Sequence, residues 1–161
     1  MGFDFDLAEV LSAILHLLAA YVLALPIAWD REKRSRSAGL RTFPLVAVGA
    51  CGYMLTGLHV LEGDAEAYSR IMYALIAGMG FIGGGAILKD RGRVHGTATA
   101  AALWNTGAIG MAVAWNRIDI AIVITAMGFL TFRYIARAKR GAHPEHEEDK
   151  THPEDGPWWD D

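Results

Sequence analysis

Residues 43–61 read FPLVAVGACGYMLTGLHVL, nineteen positions without a single Asp, Glu, Lys or Arg. An apolar run of that length covers the hydrocarbon of a bilayer as a helix, which takes about 20 residues at 1.5 Å each. Working outward, the same reading applies to 71–88, IMYALIAGMGFIGGGAIL, and to 98–115, ATAAALWNTGAIGMAVAW, both again without a formal charge. Before them, 7–29 is interrupted only by Glu9, His16 and Pro26. After them, 118–136 carries Asp119 and needs Arg133 to snorkel if it is to reach full length. A soluble bundle would need charged faces at helical period on its outer helices, and the three central runs offer none. The expected architecture is therefore all-α, a transmembrane bundle of about five spans occupying residues 1–140.

The composition agrees once it is divided. The chain has 161 residues, 53% hydrophobic and 20% charged, with a net charge of −3. Residues 141–161 hold eight of the 18 acidic residues against Lys150 alone, together with His143, His146 and His152. Such a segment buries too little apolar surface to fold, and a disordered acidic cytoplasmic tail is expected. Its histidines lack the ligand spacing of a structural zinc site. Trp158 and Trp159 have no evident physical reason to be there. Cys51 stands alone, so no disulfide framework exists. The charge balance gives no footing for nucleic acid. The acidic start of the chain differs from the basic start of a signal peptide, so the first span is expected to be retained.

Twelve Lys and Arg residues lie in the 30–42 loop, the 89–97 loop and after the fifth run, against Arg70 and Arg117 on the other side. The positive-inside rule then places the N-terminus outside and the C-terminus in the cytoplasm. Trp29, Trp115 and Tyr134 at run ends suit the interfacial aromatic belt.

Three motifs stand out. In the first loop, Asp30-Arg31 is followed by Ala38-Gly39-Leu40-Arg41-Thr42. An acid at a span end beside an arginine reads as an ion pair, with a cation-facing carboxylate as the alternative and Asp30 as the one candidate metal ligand. In the third span, Gly78, Gly80, Phe81, Gly83, Gly84 and Gly85 either let neighbouring helices approach closely or unwind to offer carbonyls to a cation; the packing reading predicts that Gly80→Leu or Gly84→Leu abolishes folded protein. At the entry to the fourth run come Gly96, Thr97, Thr99, Trp104 and Asn105; Thr97 or Thr99 caps the helix, and the Asn105 amide is interhelical glue or part of a polar pathway.

Taken in this order on this plan, the acid-Arg and Ala-Gly-Leu-Arg-Thr elements, Gly-x-Gly-Phe-x-Gly-x-Gly at 78–85 and Gly-x-x-Thr-Ala-Ala before Trp104 resemble the membrane domain of the MgtC/SapB family of bacterial inner-membrane proteins. The resemblance covers about residues 7–136. It departs from the common pattern at Asp30, where relatives often have Glu, at Gly84, often Ala, and at Ala98, often polar. It implies a multi-pass protein of the inner membrane linked to growth at low magnesium and, in some members, to survival in host cells. Its partners would be the bilayer and another membrane complex such as an ATP synthase or transporter, with a homo-oligomer as a further expectation. Mg²⁺ is the one ligand or substrate implied, and no cofactor is evident. No span holds a central carboxylate, Lys or Arg, and His16 is the one ionisable group at mid-depth, which favours a binding or modulating protein over a magnesium or small-cation transporter. No nucleophile-base pair is present, so an enzyme is not expected.

Overall fold

The computed structural model describes residues 6–34, 38–61, 63–90 and 93–135. The acidic segment 141–161, with its histidines and tryptophans, and the basic residues Arg137, Lys139 and Arg140 lie outside the described residues. Five helices make the body: α1 (Leu7–Arg34), α2 (Thr42–Val60), α3 (Ala65–Gly85), α4 (Thr97–Ala114) and α5 (Ile118–Leu130), the last continued by a π turn over Thr131–Ile135. Between α3 and α4, β1 (Leu88–Asp90) pairs antiparallel with β2 (Arg93–His95), with Lys89 opposite Val94. Two of the helices, Leu7–Lys33 and Thr42–Val60, are long and apolar enough to cross a membrane.

α4 is the hub and touches all four other helices. Its sequence explains why: Ala, Gly and Thr recur on every face, so it has no polar side to turn to solvent and takes the centre. The core gathers Ala24, Ile27 and Ala28 of α1, Phe43, Ala47, Cys51 and Met54 of α2, Leu103, Ile109 and Val113 of α4 and Ala121 of α5, all buried. Close approach rests on glycines facing it. A Cβ at Gly110 would meet the Ala47 backbone and come within 3.0 Å of Ala50 Cβ, and one at Gly107 would meet Met79. A Cβ at Gly128 would meet Ile27.

Helix boundaries differ from the sequence reading in instructive ways. α1 runs five residues past Trp29, through Asp30 and Arg31. Pro26 sits inside it, leaving the Val22 carbonyl without its usual amide partner; one carbonyl further on, Leu23 accepts a hydrogen bond from the Thr125 hydroxyl of α5 at 3.0 Å. α3 begins at Ala65, six residues before the apolar run, because Asp64 caps it through Glu66 N and Ala67 N at 2.9 and 3.1 Å. It ends at Gly85, and Leu88 belongs to the hairpin.

Candidate functional site

The first motif forms a closed corner where α1 ends and α2 begins. Asp30 is 4% exposed and Arg31 5%, and Arg31 Nη2 donates to Asp30 Oδ2 at 2.8 Å. The Arg31 guanidinium also lies 4.3 Å from the centroid of the Phe132 ring, which the π turn delivers from the end of α5. Arg31 Nε is buried without a hydrogen-bond partner. Of the two readings of Asp30, the geometry is that of the ion pair. Among the described residues no group of three or more His, Cys, Asp or Glu is arranged to hold a metal ion.

The same corner shows what Gly39 is for. Glu32 folds back so that its carboxylate accepts from Leu40 N at 2.9 Å, and any Cβ at Gly39 would occupy the space of that carboxylate. The Gly39 carbonyl in turn accepts from Thr42 N and Phe43 N at 3.0 and 3.1 Å, starting α2. Thr42 is half-buried as the first residue of α2, and Arg41 before it is exposed.

The glycine motif is helical through Gly85, so the unwound reading does not describe this structure. Nor is the motif packed in the way its glycine content suggests. Only Gly83 meets a neighbour, its Cβ position lying 3.5 Å from the Ala100 carbonyl of α4; at Gly78, Gly80, Gly84 and Gly85 nothing lies within 4 Å. The expectation that Gly80→Leu or Gly84→Leu removes packing within the chain is therefore corrected: those faces are open, and Phe81 between them is 86% exposed.

The third motif also departs from expectation. Neither Thr97 nor Thr99 caps α4; the cap is Gly96, at φ 87°, a left-handed conformation in which a Cβ would strike the Ala86 carbonyl. Thr97 is exposed at the first helical position, whereas Thr99 is buried. Trp104 is 51% exposed, and Asn105 is half-buried with its amide nitrogen 3.7 Å from where a Gly128 Cβ would stand, between α4 and α5.

The structure thus brings Asp30, Arg31 and Gly39 together at one corner and Gly83 and Gly96 at another, and leaves Gly78, Gly80, Phe81, Gly84, Gly85, Thr97 and Trp104 at the surface. Sequence reasoning missed Phe132 and Glu32 as partners of the first motif, and Thr125 as the link from α5 to the Leu23 carbonyl of α1. It also missed the second contact of His16, whose Nδ1 donates to the Ser12 carbonyl at 2.7 Å while Nε2 lies 3.0 Å from Asn116 Oδ1 in the α4–α5 turn. Asn116, at φ 57° just past α4, was the available signal, since Asn is the residue other than Gly that most readily ends a helix this way.

Comparison with known proteins places this corner in context. The chain is 37% identical over 112 residues to protein MgtC of Salmonella typhimurium, covering 70% of this chain and 47% of that one. It is 38% identical over 109 residues to protein MgtC of Brucella abortus, covering 68% and 45%. Protein SrpB of Synechococcus elongatus is 33% identical over 137 residues, with 77% of this chain and 75% of that protein covered. The chain spans less than half the length of the two MgtC proteins. No solved structure matches it. Residues 17–140, which contain all three motifs, match the model of the MgtC family, and the chain belongs to that family.

Proposed function

We propose that this protein is a five-span protein of the bacterial inner membrane, N-terminus outside and C-terminus cytoplasmic, that serves adaptation to magnesium limitation by binding and modulating another membrane complex. The magnesium link rests on membership of the MgtC family. The observation that carries the mode of action is the Asp30–Arg31 pair: the acid best placed to meet a cation is buried, and its charge is opposed at 2.8 Å by a guanidinium held under Phe132. Mg²⁺ takes oxygen ligands in octahedral array and keeps several waters. A carboxylate sealed against an arginine supplies neither the free charge nor the room for those waters. The pair suits a structural lock that shapes the cytoplasmic end of the bundle for a partner.

Reconstitution in liposomes tests the reading. Mg²⁺ flux is expected to stay at the level of empty vesicles, and affinity capture from cells grown at low magnesium is expected to bring down a membrane complex that is absent at high magnesium. Flux above empty vesicles that disappears in Asp30→Asn would establish a transporter instead.

A further inference from the structure

The two sides of the bundle differ in height. α1 has 28 residues, α4 has 18, and α5 with its π turn has 13 and 5. At 1.5 Å per residue these are about 42 Å for α1 against about 27 Å for each of the others. α1 and α5 run parallel and are flush at one end, where Arg31 meets Phe132, and stay in step through Thr125 on Leu23. The whole difference therefore falls at the other end. There the His16–Asn116 contact marks the level at which the α4–α5 turn meets α1, so residues 7–15 rise about 13 Å beyond it. α2 rises beside them: Gly52 faces Leu17, which leaves residues 53–60 above that level.

The raised α1–α2 hairpin exposes an apolar flank of Leu7, Leu11, Ile14, Leu15 and Val60, with Glu9, Ser12 and His59 exposed beside it. The recessed level exposes an ion pair, Arg117 to Asp119 at 2.8 Å. The first turns of α3 belong with the raised side: the Tyr68 hydroxyl donates to the Leu58 carbonyl of α2 at 3.4 Å and Ile71 lies against Gly57, while the Tyr68 ring reaches Trp115 edge-on at the end of α4. Measured along α1, Leu17 to Asp30 spans only about 20 Å, against about 30 Å of hydrocarbon. A flat bilayer of ordinary thickness would either bury the Arg117–Asp119 pair in acyl chains or leave the α1–α2 leucines in water.

We propose that the outer leaflet dips by about 10 Å over the α4–α5 side of the protein, so that phospholipid headgroups and water reach Arg117, Asp119 and the His16–Asn116 pair while acyl chains still cover the raised α1–α2 hairpin. The surface recognised is a zwitterionic lipid headgroup layer, which the adjacent opposite charges of Arg117 and Asp119 complement. This rests on the five-span reading, and the test separates the two.

In a Cys51→Ala background the chain is free of cysteine, and single cysteines are introduced as Arg117→Cys, Leu11→Cys and Lys89→Cys, with Ile118→Cys as a second reporter that keeps the ion pair intact. Intact cells are treated with a membrane-impermeant maleimide and compared with detergent-solubilised protein. The dip predicts that residues 117 and 118 label from outside as fast as in detergent, that residue 11 labels at least tenfold slower than in detergent, and that residue 89 labels only after the membrane is opened. Protection of 117 and 118 with 89 still inside overturns the dip and leaves the five spans standing, as does rapid labelling of 11 from outside. Labelling of 89 and 117 from the same face overturns the five-span reading and the dip with it.

Discussion

Asp30 and Arg31 are neighbours in the chain, yet their charges are opposed because α1 continues past the apolar run and carries both into the corner formed with Phe132. Removing one partner from a buried pair leaves the other charge without compensation, at a cost of about 3 to 5 kcal/mol, whereas replacing both by apolar residues is often neutral. Asp30→Ala is accordingly expected to lower the unfolding free energy in detergent by about that amount, and Asp30→Leu with Arg31→Met to recover more than half of it, as read by denaturant titration. Thr125→Val removes the hydroxyl that reaches the Leu23 carbonyl, and about 0.5 to 1 kcal/mol is expected from the loss of one interhelical hydrogen bond. The ion pair was legible in sequence because acid and base are adjacent at a run end. Phe132 was not, since a ring more than a hundred residues away leaves no local trace, and Thr125 lay hidden in a largely apolar run for the same reason.

At the scale of elements, the five runs predicted the five helices closely because length without charge is a strong signal. The direction in which the glycines face was a different matter. At 100° per residue, positions 78, 80, 83, 84 and 85 point around the whole circumference of α3, so no single face is marked, and only Gly83 turns out to meet α4. Gly80→Ala and Gly84→Ala are therefore expected to leave the fold intact and to raise helix stability by about 0.5 to 1 kcal/mol each. Gly110→Ala, whose Cβ runs into the Ala47 backbone, is expected to cost about 1 to 3 kcal/mol. The three variants compared by thermal unfolding in one detergent decide the point, and equal destabilisation at 80, 84 and 110 would contradict the open face. The hairpin between α3 and α4 was not foreseen, because strands of three residues are too short to show alternation. Its end nevertheless depends on one residue: Gly96→Ala, placed at φ 87° against the Ala86 carbonyl, is expected to destabilise by at least the 1 to 2 kcal/mol of left-handed strain, about the same as an uncapped helix start.

At the scale of the whole molecule, the helices assemble around α4 because it lacks a charged face and carries small residues on every side, so each neighbour can approach it closely. That arrangement puts the Asp30–Arg31 corner and the start of α4 at one end and the Arg117–Asp119 and Glu66–Arg70 pairs at the other, matching the alternation of basic loops along the sequence. On the proposed topology these five helices cross the membrane in alternating directions, with the basic corner inside. Reporter fusions with alkaline phosphatase and green fluorescent protein after residues 36, 63, 92, 117 and 140 measure it most directly. Fusions after 36, 92 and 140 are predicted to fluoresce and to lack phosphatase activity, and those after 63 and 117 to show the reverse. Fusions after 92 and 117 that report the same side would contradict the alternating topology.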